Sequence, residues 1–243
     1  IVCSVPKSGG LPADRQPDQP MAAMDRAEAG LGRLRYLRDP AHIARESLAR
    51  ISAVIDLAGL PAPVVPLVLR LVHACGMPDI VADLRFGGEP LAAARKALEG
   101  GCPIFCDSEM TRAGILSDRL PAANPIICSL HAPEVPELAQ RLATTRSAAA
   151  VELWRPQLAG AVVAIGNAPT ALFHLLERLF AGWPRPAVIF AFPVGFVGAA
   201  ESKQALIEAG LGIPYATLLG RRGGSALAAA AVNTALIGDA LEP

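Results

Sequence analysis

This 243-residue sequence has no net charge, few aromatic side chains and no long uninterrupted apolar run. Lysine plus arginine equals aspartate plus glutamate, at 22 each, so there is no excess of basic side chains of the kind that binds a nucleic-acid backbone. The best apolar stretch, residues 62–77, is interrupted by Pro63, Pro66, Arg70 and His73. It predicts a buried helix, since a membrane span needs about 18 apolar residues or more. We therefore expect neither nucleic acid nor a membrane as a partner.

Cysteine is sparse as well: the five cysteines are scattered, and their odd number does not suggest a disulfide scaffold. Cys102 and Cys106 are separated by three residues, unlike the tight pairs of structural zinc sites. No basic segment followed by an apolar one opens the sequence, so secretion is not expected. These features favour reduced thiols in a cytoplasmic protein.

The apolar content is 52%, supplied mostly by Ala, Val, Leu and Ile, which favours α/β layers over an all-β sandwich. From residue 80 onward, short β-like runs alternate with helix-like segments, the pattern of parallel βαβ units. The predicted strands are 80–84, 103–106, 126–129, 161–165, 187–191 and 215–218. The predicted helices are 90–99, 108–115, 135–142, 145–158, 169–180, 199–209 and 224–238. We predict a three-layer α/β/α fold with a mainly parallel sheet.

The region before this alternation has a different composition. Residues 1–30 are polar and punctuated by proline and glycine, which predicts a flexible N-terminal extension. Asp39 followed by Pro40 is typical of a helix start, and a second helical stretch, residues 62–74, ends near Gly76. The prediction is a helical N-terminal segment that leads into one α/β domain over residues 31–243.

Three predicted strand ends are followed by glycine-containing turns that lead into helices. Ligands of parallel sheets bind at such ends, where glycine lets the backbone approach and a helix N-terminus offers free N–H groups to an anion. Ordinary tight turns are the alternative, and a nucleotide site is disfavoured because neither the dinucleotide nor the P-loop motif is present. The candidate ligand contacts are Gly166, Asn167 and Thr170, then Gly195 and Gly198, then Arg221, Arg222, Gly223 and Gly224.

Two other residues suggest a role in catalysis or in ligand binding. His73 follows an apolar run at a predicted helix C-terminus, where a charged imidazole is favoured and can act as an acid; a hydrogen-bonded core histidine is the alternative. Arg146 falls in the first turn of a predicted helix, where the helix dipole opposes a cation. It therefore indicates a ligand carboxylate or an ion pair, for example with Glu152. The other histidines, His42, His131 and His174, have no stronger claim than His73.

Six motifs occur in a fixed order along the chain. They are His73-Ala-Cys-Gly-Met-Pro-Asp-Ile80, Cys106-Asp-Ser-Glu-Met110, Thr144-Thr-Arg-Ser-Ala148, Ala164-Ile-Gly-Asn-Ala-Pro-Thr-Ala171, Pro193-Val-Gly-Phe-Val-Gly-Ala-Ala-Glu-Ser-Lys203 and Gly220-Arg-Arg-Gly-Gly-Ser225. Together, over about residues 36–236, they resemble the precorrin-8X methylmutase family of cobalamin biosynthesis.

The resemblance implies an isomerase that moves a methyl group from C11 to C12 of precorrin-8X to give hydrogenobyrinate, or cobyrinate from cobalt-precorrin-8. It implies an α/β homodimer with active sites at the subunit interface and no separate cofactor or metal. His73 then corresponds to the catalytic acid, Arg146 to a substrate-binding arginine, and Ser47 to the substrate-contacting serine that caps the first helix. The substrate is a polycarboxylate around a flat apolar ring, which glycine-rich helix starts together with Arg146, Arg221 and Arg222 would suit.

One segment departs from the family pattern. After the Glu-Met pair the family usually reads His-Gly-Ile-Thr, whereas this chain has Ala113-Gly114-Ile115-Leu116. The loss of a histidine and a threonine from a substrate loop leaves an alternative function open. The chain would then be a non-catalytic corrinoid-binding or carrier protein on the same fold.

Overall fold

The computed structural model describes residues 2–4 and 36–237, and within them a single seven-stranded sheet. The strands are β1 (Val2–Ser4), β2 (Leu84–Gly87), β3 (Ile104–Cys106), β4 (Ile126–Cys128), β5 (Val162–Ile165), β6 (Val188–Ala191) and β7 (Tyr215–Leu218). Their order across the sheet is β1-β2-β7-β6-β5-β3-β4. The five strands from β7 to β4 are parallel, while β2 is antiparallel to β7 and β1 is antiparallel to β2.

Helices cover both faces of the sheet. They are α1 (Pro40–Val54), α2 (Val65–Cys75), α3 (Pro90–Glu99), α4 (Glu109–Ala113), α5 (Val135–Arg141), α6 (Arg146–Val151), α7 (Pro169–Phe180), α8 (Ala199–Glu208) and α9 (Ser225–Ile237). One face packs against α2, α3 and α9, and the other against α7 and α8. The predicted three-layer α/β/α architecture with a mainly parallel sheet is confirmed. Within the described ranges, no helix is both long enough and apolar enough to cross a membrane.

Local sequence accounts for these elements. Every residue of β5 and β6 is buried, as expected for parallel strands covered on both faces. The Asp39 carboxylate accepts the backbone N–H of His42 at 2.7 Å and so begins α1, as predicted. Gly76 ends α2 in the left-handed conformation, with φ of 67°. These local signals therefore fix the two ends of the helical N-terminal segment.

Two elements differ from the predictions. The predicted strand at 80–84 is wrong: Pro78–Asp83 is a 3₁₀ turn, and the strand begins only at Leu84. Proline suits the first position of a helical turn, and the apolar side chain of Ile80 is buried from that turn. The predicted helix over 145–158 divides into α6 and a 3₁₀ segment, Glu152–Gln157, in which Pro156 lacks the N–H that an α-helix needs.

The predicted extension over residues 1–30 lies outside the described residues except for Val2–Ser4. Those three residues form β1 at the sheet edge, beside β2.

Candidate functional site

The parallel strands all end at one edge of the sheet, called the carboxyl edge below. Because β2 runs the opposite way, its first residue, Leu84, lies beside Leu218, the last residue of β7. The segment that follows α2 therefore reaches the carboxyl edge next to β7. The segments after β4, at the far end of the strand order, reach the same edge on its other side.

His73 lies exposed in the last turn of α2. Its Nδ1 is 2.8 Å from the hydroxyl oxygen of Ser47, and within the described residues its Nε2 has no hydrogen-bond partner. The exposure rules out the core-histidine alternative. The prediction that Ser47 caps α1 is wrong, since Asp39 is the cap and Ser47 lies inside the helix. Its hydroxyl orients the imidazole instead.

Arg222 is already paired with two carboxylates of the protein. Its guanidinium donates to Asp79, and to Asp83 at 3.0 Å. The hydrogen bond to Asp79 is the main reason that the pKa of Arg222 is raised. Both aspartates belong to the 3₁₀ turn between α2 and β2, so Arg222 links that turn to the loop that follows β7. The predicted contact between Arg222 and a substrate carboxylate would require the guanidinium to leave these two aspartates.

The 193–198 loop, between β6 and α8, presents an apolar surface. Phe196 is 88% and Val197 89% exposed, and the guanidinium carbon of Arg221 lies 5.3 Å from the centre of the Phe196 ring. Gly195 (φ 143°) donates its N–H to the Arg221 carbonyl at 3.0 Å, and Gly198 (φ 79°) precedes α8. Of the predicted contacts, Gly195 is thus hydrogen-bonded to Arg221, and Gly198 lies at the end of the same loop.

The glycines of the 220–224 loop pack against the end of β6. A Cβ atom on Gly223 would lie 2.3 Å from the Phe192 carbonyl oxygen, so only glycine fits there. Gly224 donates its N–H to that same oxygen at 2.8 Å. These contacts give both glycines a packing role between neighbouring loops.

A buried lysine joins the two loops. Lys203 of α8 has no exposed surface, and its Nζ donates to the carbonyl oxygens of Pro193, at 3.1 Å, and Arg222, at 2.6 Å. Burial lowers the pKa of this ammonium to about 8; the charge of Arg222 acts in the same direction, and that of Asp83 in the opposite one. Lys203 was not a candidate from the sequence, although it is the last residue of the motif that begins at Pro193.

The glycine turn after β5 is occupied by a carboxylate of the protein itself. Asp107, only 3% exposed, accepts the backbone N–H groups of Gly166 (2.9 Å), Asn167 (2.9 Å) and Ala168 (2.6 Å). Burial raises the pKa of Asp107, and the three donors act against that rise. These N–H groups are not free for a ligand anion, which corrects the role expected for Gly166 and Asn167.

The surroundings of Gly166 also limit its role. Gly166 is buried, and a Cβ atom there would lie 2.6 Å from the Cα of Ser225. The Asn167 side chain remains on the exposed surface of the turn.

Arg146 begins α6 on the other side of the carboxyl edge. It is exposed and donates to the Leu130 carbonyl at 3.3 Å and to Nδ1 of His131 at 3.2 Å. The expected partner Glu152 binds His174 and Arg178 instead. Within the described part of the chain, Arg146 therefore has no carboxylate partner, and its charge stays available to a ligand.

Thr170 lies next to this arginine. Its hydroxyl is 2.8 Å from that of Thr145, which caps α6 by accepting the N–H of Ala148. The start of α7 is thus tied to the start of α6, and Thr170 shares the surface that carries Arg146.

The segment that departs from the family pattern is fixed on α9. The Asn233 side chain accepts the N–H of Leu116 and donates to the carbonyl of Gly114, both at 2.9 Å. Ala113 and Leu116 are exposed, so the two side chains that depart from the family pattern lie on the surface.

Three polar residues with notable contacts were not selected as candidates from the sequence: Asp107, Lys203 and His131. The burial of Asp107 and Lys203 depends on the folded sheet, which no local pattern shows. His131 is relevant because it contacts Arg146, and this contact is also visible only in the structure. Across residues 2–4 and 36–237, no group of three or more His, Cys, Asp or Glu side chains could hold a metal ion.

Comparison with known proteins gives a consistent result. The family model for precorrin-8X methylmutase matches residues 42–237. The chain is 57% identical to a precorrin-8X methylmutase of Pseudomonas aeruginosa over 82% of this chain and 95% of that protein. It is 51% identical to one from Sinorhizobium sp, over 82% and 95% respectively. A solved structure of the Thermus thermophilus precorrin-8X methyl mutase superposes with a TM-score of 0.73 at 36% identity, covering 80% of this chain and 94% of that one.

Proposed function

This chain belongs to the precorrin-8X methylmutase family, and on that premise we propose that it moves a methyl group from C11 to C12 of precorrin-8X to give hydrogenobyrinate. It is an isomerase of cobalamin biosynthesis. The alternative of a non-catalytic carrier is not favoured, because identity to the named enzymes extends over most of the chain. The names of those relatives support the cobalt-free substrate.

His73 is the proton donor in this proposal, and its bond to Ser47 is the observation that carries it. In this proposal the imidazolium donates its Nδ1–H to the Ser47 hydroxyl, 2.8 Å away, so that Nε2–H is the proton left for transfer to the substrate. Protonation of the macrocycle near ring C by Nε2 lowers its electron density while the C11–methyl bond breaks and the C12–methyl bond forms. Substrate and product are isomers, so the macrocycle afterwards gives up one proton and the reaction has no net proton change.

The substrate carboxylates are bound by the part of the edge that still has free charge. Arg146 has no internal carboxylate partner among the described residues, and Arg221 is exposed. Thr170 and the Asn167 side chain add hydrogen-bonding groups near Arg146. The apolar tip of the 193–198 loop suits the face of the macrocycle.

We infer a cytoplasmic homodimer with its sites at the subunit interface. Phe196 and Val197 are exposed apolar side chains at the carboxyl edge, where a macrocycle and a second subunit would cover them. Four cysteines, Cys75, Cys102, Cys106 and Cys128, are free thiols, which supports a reducing compartment.

The test is conversion of purified precorrin-8X, followed by its absorption spectrum. His73→Ala should abolish conversion and keep the ligand-binding spectrum, and Ser47→Ala should slow conversion by about tenfold, the value of one orienting hydrogen bond. His42→Ala removes an exposed histidine of α1 and is the matched control. If the wild-type chain bound the substrate without converting it, the carrier alternative would replace this proposal.

A further inference from the structure

Lys203 is an unusual residue to find fully buried. Lysine is almost never fully buried without an ionic partner. Here the ammonium donates only to two backbone carbonyls, of Pro193 and Arg222, and no carboxylate of the described residues lies within hydrogen-bond distance of it. A methionine of similar length would fill the space without the desolvation cost, so the charge calls for an explanation beyond packing.

The two carbonyls identify what the ammonium holds together. Pro193 begins the 193–198 loop, which carries the exposed Phe196, and Arg222 belongs to the 220–224 loop. A backbone hydrogen bond from Gly195 to Arg221 already joins these loops, and a second one, from Gly224 to Phe192, ties the 220–224 loop to the residue just before Pro193. Lys203 adds a charge-assisted link beneath them, which is stronger than a neutral hydrogen bond.

The link continues toward the proton donor. The side chain of Arg222 binds Asp79 and Asp83 in the turn that follows α2, and His73 lies in the last turn of that helix. A line of polar contacts thus runs from the 193–198 loop through Lys203 and Arg222 to the turn beside His73.

We propose that Lys203 is a positioning residue. Its buried ammonium holds the 193–198 and 220–224 loops in a fixed position relative to the helix that carries His73. This inference rests on the proposed function for its consequence in binding, but not for the coupling of the loops. Lys203 does not touch the substrate, because it has no exposed surface.

Amide hydrogen exchange on the full-length, ligand-free protein tests the coupling directly. In Lys203→Met, exchange in the 193–198 and 220–224 loops should be at least tenfold faster, while the strands keep their protection. Lys203→Arg, which keeps a buried cationic donor, should restore most of the protection. Lys96→Met removes an exposed lysine of α3 and should leave both loops unchanged.

Binding of hydrogenobyrinate gives the second readout. Lys203→Met should raise its Kd, and the KM for precorrin-8X, by about tenfold, with a smaller change in kcat, because loop order affects binding before chemistry. Exchange needs no ligand, so inactivity of the wild-type chain would refute the proposed function and leave the coupling result standing. Loop exchange equal to wild type in Lys203→Met, or faster exchange spread evenly over the whole protein, would overturn the inference.

A pH series on the unmutated chain covers the case in which Lys203→Met does not fold. The charged groups that face the ammonium are Arg222 and Asp83, and the pKa of Lys203 is about 8. Loop exchange, corrected for the intrinsic effect of pH, should therefore accelerate between pH 7 and pH 9.5 as the charge is lost. Corrected loop exchange that does not change over this interval would contradict the role of the ammonium.

Discussion

Arg222 and Arg146 lie on opposite sides of the same carboxyl edge, yet their charges meet different partners. Arg222 is held by Asp79 and Asp83, while Arg146 donates only to a carbonyl and an imidazole among the described residues. Both arginines sit in motifs that suggest anion binding. We therefore expect Arg146, which has no carboxylate partner among the described residues, to bind ligand more readily than Arg222.

The same contrast applies to backbone donors. The turn after β5 has the form of an anion site, but Asp107 fills it. Charges and donors satisfied within the protein stabilise the edge, and those left unsatisfied are free to bind ligand. Variants of groups that are paired within the protein should therefore lower stability, whereas variants of unpaired groups should weaken ligand binding.

Asp107→Ala should have the largest effect, on stability. The substitution leaves three backbone N–H groups without their acceptor in a buried turn, which is destabilising. It also removes the cost of burying a carboxylate, and we expect a net loss of about 3 kcal/mol in the free energy of unfolding. Urea denaturation measures the loss. Asp118→Asn, at an exposed position, is the control and should change the free energy by less than about 0.5 kcal/mol. A loss in Asp107→Ala as small as in the control would mean that the turn does not depend on this carboxylate.

Arg222→Met should come next, again with its main effect on stability. Removing the guanidinium leaves two neighbouring carboxylates without a counter-charge, and we expect a loss of about 2 kcal/mol, between the values for exposed and buried ion pairs. Arg50→Met breaks an exposed pair with Glu46 and is the control. An unchanged free energy of unfolding, together with a large loss of hydrogenobyrinate affinity, would show that Arg222 binds the ligand instead of stabilising the protein.

Arg146→Met should have the smallest effect on stability and act on binding. Its charge opposes the dipole of α6, so its removal should change the free energy of unfolding by less than about 0.5 kcal/mol. The Kd for hydrogenobyrinate, measured by absorption titration, should rise about tenfold, equivalent to about 1.4 kcal/mol. Unchanged affinity would remove Arg146 from the site.

Much of the fold follows from sequence pattern. Continuous apolar runs marked β5 and β6, and the Asp39-Pro40 start and Gly76 end marked the first two helices, because these signals are local. The strand near residue 84 was misplaced because Ile80 and Val81 are apolar for a reason that the sequence does not display, namely the packing of a 3₁₀ turn against the core.

The sequence identified candidate side chains more readily than it identified their partners in the folded protein. His73 and Arg146, both selected from the sequence, are exposed in the structure, and their roles stay predictions. Long-range partners decided the rest: Asp107 is about 60 positions from the turn it fills, and Arg222 is about 140 positions from Asp79. No spacing rule relates residues so far apart, so pairing within the protein became visible only in the folded chain.

The structure of the complex with hydrogenobyrinate tests the central claim most directly. We predict a ligand carboxylate on the Arg146 guanidinium, Nε2 of His73 facing the macrocycle, and Arg222 still bound to Asp79 and Asp83. A complex in which Arg222 leaves its aspartates to bind the ligand, while Arg146 stays on His131 without contacting it, would contradict the account.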